Sequence, residues 1–312
     1  MSQPLVSTEE LTVPTMNQTA APQPAPEEGS PFIRSLAQVT RRFHPKGTDR
    51  LVRLIHPPGN RTPVRTIVDY DDGLKMHVDT HSFCEWYIFF YGAFRPRVSE
   101  LLNKMLKPGD VAFDIGANIG MHSVIMANRV GPTGRVVSFE PDPHPHARLR
   151  ANLELNKLSF VDTRRAALSS KSGKTTFYLH DDTIGNYANA SLHAENVGKS
   201  TRAVDVDLYS LDDFIAQNPV PRLDVIKLLA QGEEWNVLQG ALKTIERYRP
   251  KIFFLYEPSY WHRQGRNLMD AVTFFKTYGY TTYAIEFGPR RVVTEEIDMG
   301  QVFLATPEAL PA

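Results

Sequence analysis

The chain has 312 residues, 42% of them hydrophobic and 22% charged, enough to bury a sizeable core in one large domain or two small ones. Lysine plus arginine equals aspartate plus glutamate at 35 each, which argues against a nucleic-acid binder working by bulk electrostatics. Cys84 is the single cysteine, so an intramolecular disulfide and a cysteine-based zinc site are excluded.

Residues 1–30 are rich in Pro, Gln, Thr, Ala and Glu and carry no apolar periodicity, which predicts a disordered tail. The first fifteen lack the basic head and continuous apolar stretch of a signal peptide, and no later run reaches the roughly 20 apolar residues of a membrane span. A soluble, cytoplasmic protein without a membrane partner is the expectation. RTIVDYDDGLKMHVDT, with Asp71-Asp72-Gly73 at its centre, has the pattern of a β-hairpin. EWYIFFYGAFRPRVSELLNKML reads as helical with a break at Pro96. Residues 31–100 thus form a hairpin and helical extension.

From Val111 strands and helices alternate, which predicts an α/β fold with a doubly wound, mostly parallel sheet between helices. VAFDIG precedes the helix MHSVIMANRV, and VVSFEP precedes HPHARLRANLELN. FVDTRRAAL and TTFYLH read as further strands. LDVIKLL precedes a helix carrying Trp235, Leu238, Leu242 and Ile245 on one face, and KIFFLYEP a helix carrying Leu268, Val272 and Phe275. TTYAIEF and QVFLAT are placed to close the sheet. Residues 181–202 interrupt this rhythm with a polar stretch, either a loop that shapes a pocket or a solvated excursion.

The most informative segment joins the first two strands of this alternation. Gly116, Asn118 and Gly120 follow Asp114 at every second position, and glycines there let the backbone turn and approach a ligand closely. Asp114 either organises the loop and attracts a cationic ligand or caps the next helix. About twenty residues on, Glu140 ends the second strand where doubly wound nucleotide-binding folds hold a ribose hydroxyl pair; its alternative is turn punctuation in Glu-Pro-Asp.

These residues resemble the FkbM-type methyltransferases, class I enzymes that use S-adenosylmethionine. The likeness is carried by DIGANIG, FEPDP, the asparagines of ANLELN and AALSSKSG, flanked by Glu85, Gly92 and Pro96 upstream and by LDVIK, VLQGA and YRPKIFFLYEP downstream. It extends from about Glu85 to Ala305. It implies a seven-stranded Rossmann-like sheet in residues 101–307 with the cofactor across the carboxyl ends of the first strands. Asp114, Gly116, Asn118 and Gly120 would wrap the methionine part, Glu140 would hold the ribose, and Ala167 would pass the adenine. The implied activity is O-methylation of a hydroxyl on a sugar or secondary metabolite, a small-molecule acceptor.

One departure stands out. Where the family usually reads Lys-Ile-Asp-Val-Glu-Gly-Ala-Glu, this chain has Lys227, then Leu229 and Gln231 at the two carboxylate positions, then Gly232 and Glu234. No residue is therefore assigned to a metal. An alcohol acceptor must lose its proton as the new bond forms, and Glu257, Glu234 and His122 are the candidate bases. Lys227 reads as an ion-pair or pocket residue, and His122 as a helix-surface histidine in its alternative reading. Loss of the carboxylates also motivates a cofactor-binding pseudoenzyme or regulatory protein. An NAD-dependent oxidoreductase is the further alternative, opposed by Asn118 at the second fingerprint glycine.

Overall fold

The computed structural model describes residues 29–43, 47–180, 190–197, 201–288 and 290–310. The predicted tail lies almost wholly outside the described residues, as does much of the polar stretch 181–202. Two helices not anticipated from sequence, α1 (Pro31–Phe43) and α2 (Thr48–Ile55), open the chain. The hairpin is β1 (Arg65–Tyr70) and β2 (Leu74–Asp79), paired antiparallel with Tyr70 opposite Leu74. Helices α3 (Phe83–Tyr91) and α4 (Pro96–Met105) follow, separated by Gly92, whose φ of 84° ends α3, while Pro96 begins α4.

The doubly wound part runs β3 (Val111–Ile115), α5 (Met121–Val130), β4 (Arg135–Phe139), α6 (Pro143–Leu155) and β5 (Asp162–Arg164). It continues through β6 (Ala166–Leu168), β7 (Gly173–His180), α7 (Ala194–Val197), β8 (Thr201–Tyr209), α8 (Leu211–Gln217) and β9 (Val225–Leu228). Then come α9 (Glu234–Gln239), α10 (Leu242–Tyr248), β10 (Lys251–Tyr256), α11 (Pro258–Arg263), α12 (Leu268–Thr277), β11 (Thr281–Ala284), β12 (Arg291–Val292) and β13 (Gln301–Thr306). Among the described residues the main sheet has eight strands in the order β12-β11-β13-β10-β9-β3-β4-β5. Its five strands from β10 to β5 are parallel, and β13 runs antiparallel to both neighbours.

Strand β3 is buried along its whole length because both faces are covered. Val111, Phe113 and Ile115 join one apolar cluster with Phe214, Leu238 and Phe275, whereas Ala112 joins the other with Val124, Ile125 and Leu149. Chain order reverses at β3, with β4 on one side and β9 on the other, the arrangement that opens a crevice at the carboxyl ends.

Four details differ from the sequence reading. The sheet has eight strands rather than seven, because the two-residue β12 adds an edge. FVDTRRAAL is not one strand: β5 stays in the main sheet, while β6 pairs with β8 in a separate three-stranded sheet. The helix after β9 is two helices: the Gly240 carbonyl is diverted to Asp212 N–H at 2.9 Å, and the Asp212 carboxylate accepts from the Lys243 and Thr244 N–H groups that open α10. Trp235 and Leu242 are accordingly half-buried, while Leu238 and Ile245 are buried. The short α11 also intervenes between KIFFLYEP and α12.

The hairpin is fastened to α6 by the asparagines of ANLELN. Asn156 accepts from the Lys75 backbone N–H and donates to the Lys75 carbonyl, both at 2.8 Å. Asn152 accepts from His77 N–H at 2.9 Å and donates to Ile119 O at 2.9 Å. Alongside them Arg148 donates to both oxygens of the buried Glu85, at 2.7 and 2.6 Å.

Candidate active site

A cleft of about 420 Å³ lies over the carboxyl ends of β3, β4 and β9. Gly116, Asn118, His122, Glu140, Ala167, Lys227 and Glu257 line it; Asp114, Gly120 and Glu234 do not.

The glycine loop is held against its neighbours at close range. Gly116 has φ of 74°, and a Cβ there would sit 1.9 Å from the Leu229 carbonyl oxygen. The N–H groups of Gly116 and Ala117 donate to the Phe139 carbonyl at 3.0 and 2.9 Å. A Cβ on Gly120 would come within 2.6 Å of Leu149 Cδ1 on α6. Asn118 adopts φ of 52°, and its Oδ1 accepts from Ile119 N–H at 2.7 Å.

Glu140 joins the two loops. One carboxylate oxygen accepts from Asn118 N–H at 2.7 Å and the other from Asp142 N–H at 2.9 Å. Each oxygen retains further acceptor capacity, and the side chain faces the cleft. Burial, aided by the nearby Asp142 charge, pushes its pKa up to about 8.

Asp114 is fully buried and turned into the protein. It lies 2.9 Å from Lys227 Nζ and accepts from Ser123 Oγ at 2.6 Å. Lys227 also donates to Gly116 O at 2.5 Å, so the pair ties β9 to the glycine loop. His122 is buried rather than on a helix surface, with Nε2 lacking a hydrogen-bond partner. Burial, together with the Lys227 charge, lowers its pKa to about 3, which keeps the ring neutral. Cys84 also lines the cleft, and burial pushes its thiol up to about 12, far from a nucleophilic thiolate.

The strand end that departs from the family pattern turns back on itself. Glu234 is buried, and its two oxygens accept from Ala230 and Gly232 N–H at 2.7 and 2.9 Å. Burial holds its pKa near 7 despite those donors. Gln231, at φ 51°, uses its carbonyl to receive Ser191 Oγ at 2.9 Å and Asn196 Nδ2 at 3.2 Å. The described part of the polar stretch is thus anchored here, and its Ala190 and Leu192 line the cleft. Glu257 is half-buried at the end of β10, with Ser259 Oγ donating to it at 3.2 Å.

Glu233 was not singled out from sequence. It is buried, lines the cleft, accepts from Ser169 Oγ and from Asn236 Nδ2, and lies 2.7 Å from His193 Nε2. That hydrogen bond raises the His193 pKa. Its only signal was a second acid beside Glu234, and the partners lie 64 and 40 residues away. Among the described residues no group of three or more His, Cys, Asp or Glu side chains is arranged to hold a metal ion. No helix among them is long and apolar enough to cross a membrane.

The chain is similar to known methyltransferases. The 31-O-demethyl-FK506 methyltransferase FkbM of Streptomyces tacrolimicus is 32% identical over 162 residues, covering 43% of this chain and 60% of that protein. Hexuronic acid methyltransferase AglP of Haloferax volcanii is 28% identical over 149 residues, covering 48% and 57%. The matches thus span less than two thirds of these relatives' lengths. A crystal structure of methyltransferase FkbM from Methylobacillus flagellatus superposes with a TM-score of 0.40 at 16% identity, covering 67% of this chain and 50% of that one. The profile described as the methyltransferase FkbM domain matches residues 114–282, from the glycine loop into β11, more than half of the chain. The chain belongs to the FkbM methyltransferase domain family.

Proposed function

We propose that the chain is an S-adenosylmethionine-dependent O-methyltransferase acting on a hydroxyl of a sugar or secondary metabolite. The observation that carries this reading is the loop Gly116–Gly120 clamped by Glu140 beside a cleft at the sheet's reversal point. A sulfonium methyl donor fits these residues. Glu140 offers acceptor capacity for a ribose diol, Ala167 and Pro141 offer apolar contact to a base, and His122 Nε2 is a buried polar atom in want of a partner. Asp114 acts at one remove, by fixing Lys227 against Gly116.

When bound, the cofactor supplies an already activated methyl group, so the protein's task is alignment and removal of one proton. Among the candidate bases Glu257 is favoured: it lines the cleft with a single long hydrogen bond, whereas both oxygens of Glu234 are held by backbone amides. Neutral His122 is a poor proton acceptor, and we assign it to orienting a ligand through Nε2. The neutral Leu229 and Gln231 favour a second reading, cofactor binding without turnover. The NAD-dependent alternative is set aside by the family match.

Calorimetry with S-adenosylmethionine and S-adenosylhomocysteine tests the first half; no heat with either, on folded protein, refutes it. For the second half, metabolite extracts incubated with methyl-labelled cofactor should yield a product heavier by one methyl group. Glu257→Gln should slow its formation by roughly 10²-fold or more while leaving cofactor affinity unchanged. Cofactor binding without any methylated product would favour the second reading.

A further inference from the structure

We infer that the acceptor is an uncharged hydroxyl compound with a largely apolar, ring-bearing body, and not a polyhydroxylated sugar; this rests on the methyltransferase reading. Away from Glu140 one wall of the cleft is built from apolar side chains, Phe83, Phe94, Leu192, Leu229 and Leu255. Leu229 follows β9, and Leu255 stands beside it on β10, where Phe254 is paired with Leu228. Phe83 and Phe94 meet edge to face with ring centroids 6.3 Å apart, and Leu192 lines the same cleft.

Apart from Glu140 and Glu257, the charged groups in the cleft are engaged inside the protein. Lys227 is paired with Asp114, Arg95 with Glu286, and Glu233 with His193, Ser169 and Asn236. Glu257, the Gln231 side chain and the Tyr260 hydroxyl are left to meet an acceptor, enough for two or three polar atoms on one side of an otherwise apolar wall. A hexose would press several hydroxyls against Leu229, Leu255 and the phenylalanine rings. Each would give up water without gaining a partner, at about tenfold in affinity apiece. A flat apolar body instead gains by covering those same side chains. At position 229, where the family usually carries aspartate, leucine thus sets the selectivity of the wall.

The experiment uses the full chain saturated with S-adenosylhomocysteine, whose binding is first measured by calorimetry. Two probes are then titrated with ligand-observed NMR: 2-naphthol and methyl α-D-glucopyranoside. The expected result is naphthol binding at least about tenfold tighter than the glucoside. Leu229→Asp, and independently Phe94→Ser, should each weaken naphthol by about tenfold while S-adenosylhomocysteine still binds. Having two variants guards against one failing to fold. Equal or tighter glucoside binding, no naphthol binding to the loaded protein, or naphthol affinity untouched by the variants would overturn the inference alone. Failure of S-adenosylhomocysteine to bind would overturn the methyltransferase reading, and this inference with it.

Discussion

Replacing Gly116 with alanine tests whether the glycine loop is dictated by backbone contact with β9. Two costs apply. At φ of 74° an L-residue in the left-handed region costs about 1–2 kcal/mol. The new methyl would also lie 1.9 Å from Leu229 O and 2.8 Å from Leu229 C, both backbone atoms of the residue that follows β9. Relieving that overlap moves the end of β9, where Leu229 N–H donates to Ile115 O at 3.0 Å, and overpacking of this kind adds about 1–3 kcal/mol. Gly92→Ala isolates the first cost: its φ is 84°, yet the nearest atoms a Cβ would meet are those of the Arg41 guanidinium at 3.9 Å. Urea denaturation of both variants should therefore show Gly116→Ala less stable than Gly92→Ala by about 1–3 kcal/mol, with unchanged slopes. Affinity for S-adenosylhomocysteine should fall only in the former, because Lys227 is hooked on Gly116 O. Equal losses of stability would refute the close-approach argument.

At a pH above about 8, where Glu140 is ionised, Glu140→Gln should weaken S-adenosylhomocysteine by about 1–3 kcal/mol, since the diol loses a charged acceptor. Because Glu140 titrates near 8, affinity for adenosine, which has no amine titrating in this range, should tighten as pH rises toward 8 and then level; calorimetry finding the same slope in Glu140→Gln would refute the assignment. Arg148→Ala should cost about 3–5 kcal/mol by stranding the buried Glu85 carboxylate. Burial already raises the Glu85 pKa and Arg148 opposes that rise, so the loss should shrink as pH falls and Glu85 takes up a proton; urea curves at about pH 5 and pH 8 check the sign. Chelation with EDTA, followed by added magnesium, should leave methyl transfer unchanged, because Leu229 and Gln231 offer no carboxylate at the strand end; magnesium-dependent rates would contradict this.

The glycine loop, the hairpin turn and the order of strands and helices were legible in the sequence because each rests on local signals. Asp-Asp-Gly needs no tertiary partner to turn, and VAFDI is apolar at four of five positions because both faces of β3 are covered. Legibility failed where long-range contacts decide. Nothing near FVDTRRAAL indicates that β6 leaves the main sheet to pair with β8, some forty residues later. The single helix expected after β9 is broken at Gly240, where Asp212 of α8 takes the Gly240 carbonyl and caps the next helix. Asp114 and Glu140 look equivalent as acids ending strands. Lys227 and Ser123 draw the first inward, while backbone amides turn the second toward the cleft. Glu233 was passed over because its meaning lies in His193 and Ser169, which only the fold brings near.

Asn152 of α6 and Asn156 at its C-cap have a consequence beyond fastening the hairpin. A two-stranded ribbon has two open borders, each a row of backbone donors and acceptors able to recruit a strand from another chain. On β2 that border is already occupied: the Asn156 carboxamide engages both polar groups of Lys75, and Asn152 takes the N–H of His77. A side-chain amide on a helix imitates the peptide of a missing third strand, so this border offers no template for intermolecular strand addition.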